Sequence, residues 1–262
     1  MLAGISTACF YPELTERALA CISEFGAQAA EIFFNAPSEL EDSFTRQLKA
    51  VADGSGTQIL SVHPFTSGLE PLLFFTEYRR RTLDGLELYK RYFHAANMLG
   101  AKIFVLHGDR REATKPYRRY FEMFEELAET GRSMGITVAQ ENVPRCASYC
   151  PEFFTAMANA LPDARFVLDT KQCVRAGYSV TQMLDAMGDR IVHLHISDHN
   201  EKHDCLPVGK GILNLAELIA GLKRYRYDGG LVLEVYRDNY GAFSELKDSY
   251  RYLFEAVYTA DA

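Results

Sequence analysis

Short apolar runs alternate with longer amphipathic stretches along the chain. The runs Leu2–Ala8, Ala29–Phe34, Gln58–Val62, Lys102–His107, Thr137–Glu141, Arg165–Asp169, Ile191–Ile196 and Leu231–Val235 read as strands. Their near-continuous apolarity, rich in Val, Ile and Phe, is that of strands buried on both faces. Between them, Leu14–Phe25, Arg79–Leu99, Tyr117–Met134, Leu213–Tyr225 and Phe243–Val257 read as helices. In the first of these, Leu14, Ala18, Leu19, Ile22 and Phe25 follow the helical period. Gly26, Gly100, Gly135 and Gly188 stand where such helices would stop. A succession of strand–helix units without a change in composition predicts a parallel sheet. Eight such units in 262 residues predict one closed (β/α)8 barrel, a TIM barrel occupying residues 1–262 as a single domain. No GxGxxG follows the first strand, so the cue for a dinucleotide-binding open sheet is missing.

The polar residues are placed selectively. The third to eighth strand runs end in His63, His107, Glu141, Asp169, His195 and Glu234. In a barrel the C-terminal strand ends converge on one rim, and active sites form there. A single carboxylate at a strand end would be unremarkable. A set of carboxylates and imidazoles in one place needs partners or a cation. His193 and His195, two apart on a strand, point to the same face, so one can bind a metal while the other packs or supports it. Imidazole with carboxylates suits Zn2+, Mn2+, Co2+ or Fe2+, and an excess of carboxylates tilts the choice towards Mn2+ or Mg2+. After the seventh strand, Pro207-Val208-Gly209-Lys210-Gly211 reads as a tight loop that would bring Lys210 near a hydroxyl or phosphate.

Composition narrows the partners. The net charge is −7, with a pI of about 5.6. An acidic surface repels phosphate backbones, so nucleic acid is not expected. The N-terminus lacks a basic stretch followed by a long apolar run, and no segment is apolar for long enough to cross a membrane; a cytoplasmic protein is expected. The six cysteines show no CxxC pair and read as reduced, partly buried thiols. Phe10, Phe33, Phe34 and Phe65 lie near strand ends, where they either wall a pocket or pack the core. The basic runs Arg79-Arg80-Arg81 and Arg110-Arg111 read as solvated helix ends, with Arg110 and Arg111 also placed for an anion contact at the rim.

Six segments carry a resemblance: LHGD at 106–109, QEN at 140–142, LDT at 168–170, HLHISD at 193–198, PVGKG at 207–211 and LEVY at 233–236. In this order and spacing the chain resembles the xylose isomerase-like barrel superfamily, which includes sugar isomerases and epimerases, inosose and dehydroshikimate dehydratases, hydroxypyruvate isomerases and enzymes of the endonuclease IV type. The resemblance implies one divalent metal ion, Mn2+, Zn2+, Co2+ or Mg2+, held by Glu141, Asp169, His195 and Glu234. It implies that Glu141 and Glu234 also form the acid–base pair, that His63 and His107 contact substrate or a further metal, and that homo-oligomers are common. Two departures stand out. The family's Asp-x-x-His becomes Asp169-Thr170-Lys171-Gln172, and the Asp-x-His of the DNA repair enzymes becomes His203-Asp204-Cys205. Substrate contacts are expected from His63, His107, Lys171, Gln172, His193 and Lys210, with Lys171 favouring an acidic or phosphorylated compound.

The expected activity is metal-dependent isomerisation or epimerisation of a small sugar or sugar-like hydroxy-ketone, by proton transfer through a metal-stabilised enediolate. A dehydratase of the inosose or dehydroshikimate type shares that intermediate and is the alternative. An endonuclease IV-like activity and a non-catalytic sugar-binding barrel rank below it.

Overall fold

A computed structural model describes residues 1–112 and 117–261. Strands β1 (Leu2–Ser6), β2 (Ala29–Phe33), β3 (Gln58–His63), β4 (Ile103–Leu106), β5 (Thr137–Glu141), β6 (Arg165–Asp169), β7 (Ile191–Ile196) and β8 (Gly230–Leu233) pair in parallel, in sequence order. Pairing of β1 with both β2 and β8 closes the ring. Helices α1 (Thr15–Glu24), α2 (Asp42–Ser55), α3 (Glu70–Leu73), α4 (Arg79–Leu99), α5 (Arg118–Ser133), α6 (Pro151–Ala160), α7 (Thr170–Ala176), α8 (Val180–Met187), α9 (Leu215–Arg224) and α10 (Phe243–Asp261) connect the strands and follow the last. The predicted (β/α)8 architecture is the one observed.

Where strand ends differ from the apolar runs, a competing hydrogen bond is the reason. β1 stops at Ser6 because the Ser6 hydroxyl accepts the Ala8 N–H (3.2 Å) and opens a short 3-10 turn. β4 stops before His107 because that N–H goes to the carboxylate of Glu70 (3.0 Å). After β8 the Val235 N–H turns to the Cys9 sulfur (3.3 Å), which donates in turn to the Leu233 carbonyl. All six cysteines are free thiols, as expected. α4 ends at Gly100, whose φ of 84° is readily reached only without a Cβ.

Side chains along the strands alternate between two environments. Ile32, Val62, Phe104, Leu106, Val138, Phe166, Leu168, Leu194, Ile196 and Leu233 point outward and join the helices in one continuous core. Phe104 is packed there against Tyr89, Tyr92 and Phe93, with centroids 5.2–5.7 Å apart. The inward positions hold a small separate apolar plug of Val105, Ala139 and Val167, with Ile103 and Val192 packed against it. The polar strand-end residues occupy the rest of the interior, and this separation creates the site.

Surface charge is largely used locally. Arg79 forms a two-pronged pair with Glu126 (2.7 and 2.5 Å) that ties α4 to α5. Among the described residues no helix is long and apolar enough to cross a membrane.

The loop after β7 hangs on one side chain. The Asp198 carboxylate accepts the N–H groups of His199, Gly209, Gly211 and Leu213 at 2.8–3.0 Å. Gly211 has to be glycine, because a Cβ there would lie 2.2 Å from the His199 carbonyl oxygen. Replacing Asp198 by Ala should therefore release residues 199–213 to limited proteolysis. These N–H groups are only partly buried and can turn to water, so each lost bond costs about 0.5–1.5 kcal/mol, which urea unfolding should register as a sum.

Candidate active site and metal centre

The inward-facing strand ends meet in a cavity of about 370 Å3 lined by residues that include Phe33, Asn35, His63, His107, Glu141, Arg145, Gln172, Glu234 and Tyr236. Ligand-capable atoms of Glu141, Asp169, His195 and Glu234 lie within 4.8 Å of one another at its floor. These are the residues the sequence put forward as metal ligands.

His195 orients the cluster. Its Nδ1 is 2.9 Å from Glu141 Oε1, 3.6 Å from Glu234 Oε2 and 3.9 Å from Asp169 Oδ2. Its Nε2 faces away and meets Glu31 Oε2 at 2.9 Å. A ring whose Nε2–H donates to a carboxylate presents Nδ1 as the ligand, the usual support of a metal-binding histidine. Burial opposes the charged imidazolium of His195, but Glu31 and Glu234 outweigh it and hold its pKa well above the ordinary range. A metal ion would take the place of the Nδ1 proton.

The donor set fits a divalent cation. Glu141 Oε2 is buried and has no hydrogen bond, although His107 Nε2 lies 2.8 Å away. Burial pushes the Asp169 carboxyl up to about 7, since Lys171 only partly offsets the like charges of Glu141 and Glu234. The cluster is thus short of positive charge. Glu141 itself is buried, which would raise its pKa, but His107 and His195 hold it well below the usual carboxylate range. In Glu234, Lys171 and His195 likewise overcome burial and lower the pKa.

The other motif residues position the ligands. Asn142 exchanges two hydrogen bonds with the backbone of Asp169 (2.7 and 2.9 Å). Asp169 Oδ1 caps α7 by accepting the Gln172 N–H (3.0 Å), which leaves Oδ2 for the centre. Thr170 Oγ1 donates to the Ser197 carbonyl and accepts its N–H, both at 2.9 Å. Gln140 accepts from the Tyr120 hydroxyl and donates to the His107 carbonyl (2.9 Å). The Glu70 carboxylate, raised to about 7 by burial, holds the N–H groups of His107 and Gly108.

A histidine chain lines the cavity wall. Arg145 donates to His107 Nδ1 (2.8 Å), so the His107 proton sits on Nε2. That nitrogen is 2.8 Å from His63 Nε2, and His63 Nδ1–H donates to the Pro64 carbonyl (3.2 Å). The His63 ring also stacks on Phe33 at 4.5 Å. Burial, with His107 beside it, lowers the His63 pKa to about 4.

Not every expected substrate contact reaches the cavity. His63, His107 and Gln172 line it. His193 does not: it is buried a layer deeper, 3.0 Å from Ser61 Oγ and 3.3 Å from Glu31 Oε2, because it precedes His195 by one full strand period. Lys210 is exposed on the loop and lies outside the cavity lining. Lys171 is buried and directed at Asp169 and Glu234. Of the arginines, Arg111 stacks on Tyr149 at 4.0 Å, and it is Arg145 that faces the cavity. Asp204 is paired with Arg175 (2.6 Å) and takes no part in the metal-capable groups found among the described residues. Glu31, which fixes His195, was not anticipated, yet a lone carboxylate inside Ala29-Ala30-Glu31-Ile32-Phe33 is a costly placement that marks it.

The low His63 pKa has a consequence for stability. The unfolded chain takes up the proton at the ordinary value near 6.5, and the folded chain only near 4. Stability of metal-free protein should therefore fall as pH drops from 6.5 to 4, with His63 accounting for roughly 3 kcal/mol. In urea titrations across that window, His63→Gln should show the shallower decline.

Residues 19–256 match the family described as xylose isomerase-like TIM barrel. An uncharacterized protein of Mycobacterium leprae is 26% identical, the match covering 88% of each chain. The crystal structure of a D-tagatose 3-epimerase-like protein superimposes with a TM-score of 0.80 at 22% identity, covering 100% of this chain and 98% of the other. The probable 3-DHS dehydratase involved in petrobactin synthesis from Bacillus anthracis superimposes with a TM-score of 0.77 at 14% identity, covering 97% and 98%. At such identities the structural likeness establishes the fold, and the match over most of the length establishes the family: the chain belongs to the xylose isomerase-like TIM barrels.

Proposed function

We propose that the protein is a divalent-metal-dependent isomerase or epimerase of a small sugar-like hydroxy-ketone. The observation that carries this reading is the meeting of Glu141, Asp169, His195 and Glu234 within 4.8 Å, with Glu141 and Glu234 also on the cavity wall. A cavity of about 370 Å3 suits a small ligand. The fold shared with a D-tagatose 3-epimerase-like protein supports the same reading.

A divalent ion held by these four residues would supply Lewis acidity, making the C–H beside a substrate carbonyl more acidic. The chain's own groups perform the proton transfers. Glu141 places Oε1 against His195 and turns Oε2 towards His107 Nε2 on the cavity wall (2.8 Å), so Oε2 is the proton acceptor. It is ionised at neutral pH, as a base must be. Glu234 comes from beyond β8, well around the ring from β5, and approaches the same space from another direction. For isomerisation Glu141 gives the proton it has taken to the neighbouring carbon; for epimerisation Glu141 loses it to solvent, and Glu234, after taking one up from solvent, delivers it to the opposite face. Asp169 is fixed by Asn142 and α7 and serves only to bind. Phe33 and Tyr236 offer apolar walls to the carbon-bound face of a sugar.

Dehydration is the second reading, supported by the fold shared with a probable 3-DHS dehydratase and by His107 on the cavity wall, whose Nε2–H can be given to a departing hydroxyl. The two readings separate on the product, since dehydration leaves an enone.

Protein loaded with Mn2+ should exchange one carbon-bound proton of a ketose or inosose with deuterated solvent, seen by NMR across a panel of such compounds. Glu141→Gln and Glu234→Gln should each slow the exchange by about 10²–10⁴-fold, the usual contribution of a positioned acid or base. A panel showing neither exchange nor water loss would defeat both readings.

A further inference from the structure

Lys171 is the least ordinary residue of the site. Its side chain is 2% exposed, and its ammonium is bonded to Asp169 Oδ2 and, at 2.5 Å, to Glu234 Oε2. The ring of Tyr236 lies 5.5 Å away on another side. The same two oxygens are the ones that face His195 Nδ1, at 3.9 and 3.6 Å. Two of the atoms that would hold a metal are therefore already shared with a fixed positive charge belonging to the chain.

We propose that Lys171 competes with the divalent ion for Asp169 and Glu234, so that the centre binds metal weakly and exchanges it readily. This inference rests on the metal reading given above. An ammonium and a divalent cation repel strongly where water is excluded and the dielectric is low. An oxygen that donates electron density to an ammonium has less to give to a metal. The lysine also explains how three carboxylates are tolerated together before metal arrives, because buried charges require a counter-charge. The centre is in this sense buffered: the lysine supports the metal-free fold and the metal completes it.

The test is calorimetric titration of Mn2+ into the whole protein and into Lys171→Met, which keeps an unbranched side chain one atom shorter and removes its charge. Lys171→Met should bind Mn2+ about tenfold more tightly, or better. It should also be less heat-stable than wild type without metal, and gain more from saturating Mn2+. If Lys171→Met does not fold without metal, Lys171→Gln, which keeps a hydrogen-bond donor without the charge, is titrated instead with the same expected direction. Equal or weaker affinity in the variant, beside normal binding by wild type, would overturn the competition while leaving the metal reading in place. No Mn2+ binding by wild type or by either folded variant would overturn both.

Discussion

The constraint on which the rest of the site depends is the burial of several carboxylates in one small space. Glu31, Glu141 and Asp169 are almost wholly inaccessible, and Glu234 is nearly so. In a low-dielectric interior such a group cannot be left alone: it must be protonated, hydrogen-bonded or matched by a cation. The protein uses each device. Ser6 and Ser61 donate to Glu31, His195 lies between Glu31 and Glu141, and Lys171 spans Asp169 and Glu234. Glu141 Oε2 is still left without a hydrogen bond. That remainder is what makes a divalent cation the natural completion.

The barrel makes this arrangement possible by separating two cores. Outward-facing residues pack with the helices and hold the fold together, so the interior need not be apolar throughout. Above the plug of Val105, Ala139 and Val167, the inward positions are free to carry polar groups. The residues just beyond the strands then act as fasteners. Asn142, Thr170, Gln140 and Glu70 bind backbone groups of neighbouring strand ends, and Asp198 gathers the loop after β7. A ligand set drawn from β5, β6, β7 and the end of β8 can converge only if those ends are held in register.

Much of this was legible in the sequence because strand runs and their terminal residues are local patterns. The barrel, the strand centres and the gathering of polar strand ends on one rim follow from them, while the family resemblance of the motifs singled out Glu141, Asp169, His195 and Glu234. The role of Glu31 was not read, since it sits within a run rather than at its end and only the closed ring brings it under His195. Arg145 was passed over for Arg110 and Arg111, because proximity to a strand end in sequence does not tell which way a loop turns. Lys171 was expected at the substrate. Helix α7 begins directly at Asp169, and its first turn carries the lysine back over the carboxylates instead. His193 shares a face with His195, as expected, but the strand's rise places it a layer deeper.

On this reading Glu141, Asp169, His195 and Glu234 together form one metal centre. The most direct measurement is an anomalous difference map from crystals equilibrated with Mn2+. A single strong peak is expected in contact with Glu141, Asp169, Glu234 and the Nδ1 atom of His195. No peak at saturating Mn2+, or a peak held only by His63 and His107, would contradict it.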